Sequence, residues 1–233
     1  MYSCVKRETS IFYVLRFAFK SRAVWLQRRE DSSMAYSDFT LQDVVTEFGL
    51  VEDRSQLFDN VETLEMSEWL KETFKVSLDF ALSTPSEKAK SEFIIAPILL
   101  ELGKRNHGRF GVHSGKGLNV LPEKGLNGEC DFILTKGKTT YTIQTPIFAL
   151  VEGKKDDIEP GLGQCAAQMI GAKIFNQNKG NDIEIIFGCV TTGETWQFLK
   201  LDHDTILLER NRYYLDNVGQ ILGMLQNIVD FYV

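Results

Sequence analysis

The spacing of apolar and polar positions divides the chain into helices and short strands. Apolar side chains recur at helical spacing in five segments, and residues suited to capping, such as Thr84 and Ser86, stand before one of them. Short apolar or alternating segments bounded by glycines lie between the helices, as is typical of strands. The predicted helices are residues 40–48, 63–76, 86–103, 161–176 and 218–229.

The predicted strands form two groups, one on each side of the helix at 161–176. Lys136-Gly137-Lys138 predicts a hairpin turn in the first group, and Thr192-Gly193 predicts another in the second. This order of helices and strands implies an α/β fold with a mixed central β-sheet flanked by helices on both faces. The predicted strands are residues 109–113, 118–121, 129–135, 139–144, 146–152, 183–190 and 195–201.

Charge and pattern together divide the chain into three parts. Residues 1–33 hold seven basic residues against three acidic ones, whereas residues 38–72 are strongly acidic. Because Met34-Ala35-Tyr36 resembles the start of a protein, we expect residues 1–33 to be a basic, poorly ordered extension that is dispensable. We expect residues 34–83 to form an acidic helical extension packed on the core, and residues 84–233 to form the α/β domain.

Composition narrows the class of protein. A chain of 233 residues with 43% hydrophobic content can bury one substantial core. No apolar run approaches the roughly 18 residues that a membrane span requires.

The net charge of −6 argues against a general nucleic-acid coat, although residues 88–124 carry a local basic excess suited to phosphate contacts. The four cysteines are Cys4, Cys130, Cys165 and Cys189. They have neither metal-ligand spacing nor a dense disulfide pattern, so we expect them to be reduced thiols in a cytoplasmic protein.

Charged residues stand in or at the end of two predicted strands. Asp131 lies in the strand at 129–135, and Glu152-Gly153-Lys154 follows an apolar run 21 positions later. Residues two apart on a strand share a face, so Glu152 and Lys154 should point the same way. If the two strands pair, Asp131 joins them, and two close carboxylates then require a proton or a cation. Lysine supplies part of that charge, and a hard cation such as Mg²⁺ would supply the rest.

This pattern resembles the PD-(D/E)XK nuclease superfamily, in which an Asp is followed by an acidic-x-Lys motif on the neighbouring strand. Residues 86–103 are similar to the first helix of the nuclease-like domains of type I restriction motor subunits. Residues 186–198 are similar to their later hairpin, in which a Thr-Gly turn precedes a Trp-x-Phe strand. The resemblance covers residues 84–233. Cys130 stands where the family often has Pro, which leaves the charged residues of the motif intact.

The resemblance implies a restriction-endonuclease-like core that cleaves phosphodiesters with Mg²⁺, for which Mn²⁺ can substitute. It implies that Asp131, Glu152 and an acid from the first helix hold the metal, with Glu92 as the first candidate and Glu87 as the alternative. It also implies that a Gln of the helix after the motif supports the Lys, and Gln164 and Gln168 lie one turn apart there. The residues that it assigns to catalysis are Asp131, Glu152, Lys154, Glu92 and Gln164.

We therefore expect a metal-dependent, endonuclease-like phosphodiesterase that acts on nucleic acid, foremost DNA. We expect no membrane partner, and a homodimer is left open. Two other classes also remain: a catalytically silent nuclease-fold module that binds nucleic acid or protein, and a structural protein that uses the acidic segment 38–72 as its contact surface. The presence of all three charged residues, Asp131, Glu152 and Lys154, favours the enzyme, because a decayed site usually loses at least one of them.

Overall fold

The computed structural model describes residues 34–83 and 86–233. Within it, Ala35–Val233 forms one compact unit. The expectation that residues 1–33 are poorly ordered lies outside the described residues. No helix in the described part of the chain is long and apolar enough to cross a membrane.

Eight strands of the described residues form one sheet. They are β1 Val51–Ser55, β2 Phe110–Gly117, β3 Glu129–Lys136, β4 Ile147–Gly153, β5 Ile185–Thr191, β6 Thr195–Asp202, β7 Thr205–Glu209 and β8 Tyr213–Tyr214. Their order is β1-β7-β6-β5-β4-β3-β2, and β8 pairs with β6. The pairs β1–β7 and β4–β5 are parallel and the others are antiparallel, which confirms the predicted mixed sheet.

Helices cover the two faces of this sheet. Four of them are α1 Leu41–Phe48, α2 Glu68–Ser83, α4 Glu159–Asn178 and α5 Val218–Tyr232. The remaining helix, α3, is built of three consecutive parts: Glu87–Lys90, the π-helical turn Ser91–Ile95 and Ala96–Arg105. Ala149 and Val151 of β4 pack into a core with α2, α3 and α5. On the other face α4 packs on β4 and β5, and a Cβ added at Gly188 would lie 2.5 Å from Sδ of Met169. The α/β arrangement with helices on both faces is therefore confirmed.

Several predicted boundaries were wrong. Helix α2 begins at Glu68, five residues later than predicted, and segment 34–83 contributes the edge strand β1 as well as helices. Residues 118–121 form only an isolated bridge between Leu121 and Leu126. Strands β1, β7 and β8 were not predicted, because they are short and their register is set by β6 and β7 rather than by their own sequences.

The prediction of a hairpin at Lys136-Gly137-Lys138 was also wrong, because residues 139–144 are not a strand. Gly137 does take the left-handed conformation of a turn, with φ 87°. The chain beyond it instead runs along the outer side of β2, where Thr139 Oγ1 accepts a hydrogen bond from Val112 N at 3.1 Å. A side chain thus takes the place of a backbone ladder along this edge.

Candidate active site

The sheet brings the two halves of the sequence motif together. β3 and β4 are antiparallel neighbours, with Phe132 paired to Val151. The beginning of β3, which carries Asp131, therefore meets the end of β4, which carries Glu152. The prediction that these two strands pair is confirmed.

Asp131 is held by the backbone of β4. Its Oδ2 accepts a hydrogen bond from Gly153 N at 2.7 Å. Burial raises the pKa of Asp131, and the Gly153 hydrogen bond and the Lys154 charge oppose that rise. The carboxylates of Glu87 and Glu129 add to it. Asp131 is therefore a carboxylate in an acidic, partly desolvated setting that a cation would stabilise.

Glu152 is the most deeply buried acid of the motif, with 2% exposure. Its Oε1 accepts a hydrogen bond from Lys154 Nζ at 2.8 Å, and its Oε2 accepts one from Gln168 Nε2 at 2.8 Å. Burial, followed by repulsion from Asp131, raises the pKa of Glu152 to about 7, although both hydrogen bonds and the Lys154 charge oppose the rise. The folded protein thus disfavours the ionised form of this carboxyl relative to a carboxyl in water.

Lys154 is held both by its backbone N–H and by its side-chain ammonium. Its backbone N–H donates to Thr191 O at 2.7 Å, and its Nζ donates to Gln164 Oε1 at 2.9 Å as well as to Glu152. A Cβ added at Gly161 would lie 3.0 Å from Lys154 Cγ, so a glycine at the start of α4 makes room for the lysine stem. Gln164 and Gln168, one turn apart on α4, therefore contact Lys154 and Glu152, two of the three charged residues of the motif.

Two buried thiols, Cys130 and Cys165, lower the polarity around Glu152. Cys130, Cys165 and Cys189 are free and buried, which agrees with the expected reduced state; Cys4 lies outside the described residues. Burial raises the pKa of Cys130 and of Cys165, and the Glu152 charge raises both further. These thiols stay neutral, so they act as apolar neighbours that strengthen the electrostatic interactions of Glu152.

The carboxylate oxygens of the site fit Mg²⁺, an ion that binds through few protein ligands. No three His, Cys, Asp or Glu side chains among residues 34–83 and 86–233 cluster as ready metal ligands. However, Mg²⁺ usually keeps several waters and takes about one or two protein carboxylates. Asp131 and Glu152 supply these, and Asp131 Oδ1 accepts no hydrogen bond from the described residues. The buried Gln168 Oε1 likewise has no partner among them, so acceptor oxygens exceed donors here.

The two candidate acids of the first helix differ in their surroundings. Glu92 pairs with Lys88 at 3.8 Å, and its side chain is 55% exposed. Glu87, in the first turn of α3, is among the groups that raise the pKa of Asp131. The structure therefore brings Glu87, the alternative, into electrostatic contact with Asp131, whereas the contact it gives the first candidate Glu92 is a surface ion pair.

Lys90 is a residue near the site that sequence reasoning missed. It is 5% exposed, and its Nζ donates to Lys155 O at 2.9 Å and to Glu194 Oε2 at 2.8 Å. It thus ties α3 to the backbone directly after Lys154. The signal was present, because Lys90 lies four residues before Ile94 and so falls on the buried stripe of α3.

Comparison with known proteins gives a distant similarity. No family model matches the chain. The chain is similar to Crinkler effector protein 1 of Rhizophagus irregularis, with 27% identity over 191 residues. The match covers 75% of this chain and 39% of that protein, so this chain corresponds to less than half of the relative's length. The relative's name describes an effector and specifies no reaction.

Proposed function

We propose that this chain is a metal-dependent phosphodiesterase with a restriction-endonuclease-like core, and that it cleaves nucleic acid, foremost DNA. The observation that carries the proposal is the convergence of Asp131, Glu152 and Lys154, with the Lys154 ammonium 2.8 Å from Glu152. Two carboxylates and one lysine at the junction of neighbouring strands are the groups needed to bind a hard cation and a phosphate together.

Asp131 and Glu152 are the metal-holding residues in this proposal. When bound, Mg²⁺ or Mn²⁺ would polarise the scissile phosphate and lower the pKa of a coordinated water. The raised pKa values of both carboxyls support this assignment, because a dication favours their ionised forms and removes their mutual repulsion. Gln168 fixes one oxygen of Glu152 through the hydrogen bond at 2.8 Å.

Lys154 is the proposed catalytic cation. Its ammonium is held between Glu152 Oε1 and Gln164 Oε1, and its side chain is 17% exposed. In that position it stabilises the negative charge that develops on the phosphate and orients the attacking water. Gln164 is a positioning residue, because it acts through Lys154 rather than on the substrate.

A nuclease assay tests this proposal. Purified protein is incubated with supercoiled, linear and single-stranded DNA and with RNA, in Mg²⁺, Mn²⁺ or EDTA. We expect cleavage that requires the metal and that Asp131→Ala abolishes. Asp156→Ala is the matched control, because Asp156 is a 70% exposed acid two positions after Lys154 whose ion pair is with Lys155. Absence of cleavage on every substrate and metal would leave the silent binding module as the better account.

A further inference from the structure

An exposed aromatic ring stands beside a lysine at the open edge of the sheet. Tyr141 is 93% exposed, the most exposed large hydrophobic side chain of the described residues. Lys116 Nζ lies 5.4 Å from the centroid of its ring. An ammonium at this distance is attracted to the ring, so the two side chains form one cationic and aromatic surface.

The loop that carries Tyr141 is organised rather than simply extended into solvent. Gly137 N donates to Arg109 O at 2.9 Å, and Thr139 accepts from β2 as described above. Within the loop, Thr140 Oγ1 donates to Thr142 O at 2.6 Å, directly around Tyr141. These bonds hold the loop along β2 and place the ring next to Lys116.

Lys116 of this surface lies on β2, the strand next to β3, which carries Asp131. Lys116 pairs with Cys130 across the β2–β3 ladder, and Cys130 precedes Asp131. Neighbouring strands are about 4.8 Å apart, so the backbone of Lys116 lies one strand from the proposed metal-holding residue. Gly115 and Gly117 flank Lys116, and Gly115 has φ 60°, which favours glycine. A Cβ at Gly115 would lie 3.3 Å from Glu129 Oε1, so the side chain of Glu129, from the neighbouring strand, reaches over this glycine.

We propose that Tyr141 and Lys116 bind an unpaired nucleotide next to the scissile phosphate, so that the substrate is single-stranded or locally unpaired nucleic acid. This inference rests on the proposed function. A base in a duplex is already stacked on its neighbours, whereas an unpaired base offers a free face to an exposed ring. Lys116 supplies the phosphate contact that accompanies such stacking.

Binding of labelled oligonucleotides in EDTA tests the inference without cleavage. Fluorescence anisotropy is measured for single-stranded DNA, single-stranded RNA and the corresponding duplex. We expect Tyr141→Ala to weaken single-strand binding by about 5- to 100-fold and Tyr141→Phe to retain it, because the ring does the stacking. Lys116→Ala should lower the slope of log affinity against log salt by about 0.7, the value for one phosphate on a single strand.

Tyr214→Ala is the matched control, since Tyr214 is a 52% exposed tyrosine on β8, away from β2 in the sheet. It should bind as the parent does. Equal losses on duplex and single strand, or parent-like binding by Tyr141→Ala, would overturn the inference. Metal-dependent cleavage by the parent would still stand in that case. Conversely, if single-strand binding depends on Tyr141 but the protein cleaves nothing, the proposed function is refuted. Tyr141 and Lys116 would then remain a binding surface for single-stranded nucleic acid.

Discussion

Replacing Glu152 with glutamine should change how the stability of the protein depends on pH. Glu152 has 2% exposure, and burial and Asp131 raise its pKa from 4.5 to about 7. Between these two values the unfolded chain releases the proton while the folded protein keeps it. The folded state then binds more protons than the unfolded state, so the free energy of unfolding falls as pH rises through this window.

The size of this effect follows from the shift. From a pKa of 4.5 in the unfolded chain and about 7 in the folded protein, ionisation of Glu152 costs about 1 kcal/mol of stability at pH 5 and about 3 kcal/mol at pH 8. Glutamine keeps the shape and carries no charge, so this loss is absent in Glu152→Gln. The variant should gain about 2 kcal/mol relative to the parent between pH 5 and pH 8.

Urea unfolding of parent and variant at pH 5, 6, 7 and 8 measures this difference, and the value at pH 5 serves as the internal reference. At pH 8, Mg²⁺ should raise the parent's free energy of unfolding, because it binds the folded site, and should raise that of Glu152→Gln much less. Curves that stay parallel from pH 5 to pH 8 would refute the reasoning, since they would mean that Glu152 ionises alike in both states.

Three further predictions concern packing and positioning. Gly163→Ala should destabilise the protein by about 1–3 kcal/mol in thermal unfolding, because the added Cβ would clash with the carbonyl oxygen of Phe39. Gly103→Ala is the control: the added Cβ meets open space, so this variant should stabilise the protein by about 0.5–1 kcal/mol. Gln168→Leu should weaken Mg²⁺ binding in calorimetry by about 10- to 100-fold, because Glu152 loses a donor. Lys90→Met should keep the melting temperature near that of the parent but lower cleavage by about 10-fold or more, because the backbone after Lys154 loses its tie to α3.

Much of the fold was visible in the pattern of the sequence. The long elements, such as α4 and α5, and the buried strands β4, β5 and β6 lie close to where periodicity placed them. Short edge elements could not be placed this way. β1 is exposed along nearly its whole length and is a strand only because it pairs with β7, and residues 139–144 have strand-forming side chains but bond to β2 through Thr139.

The candidate site was predictable where strand parity determines it. Glu152 and Lys154 share a face and are in contact, as their spacing required. The choice between Glu87 and Glu92 was not predictable, because the π-helical turn Ser91–Ile95 changes which residues of α3 follow a regular spacing. The burial of Lys90 could be read from its spacing to Ile94, but its acceptors, Lys155 O and Glu194, could not, because only the tertiary fold brings them near.

Comparison of Lys154→Ala with the parent tests the central claim most directly. Lys154 acts on the phosphate in this account, while Asp131 and Glu152 hold the metal. Calorimetric Mg²⁺ affinity should therefore stay equal or rise slightly in Lys154→Ala, since a competing cation has gone, while metal-dependent cleavage falls by about 10²- to 10³-fold. Cleavage at the parent rate by Lys154→Ala with bound Mg²⁺ would contradict the account.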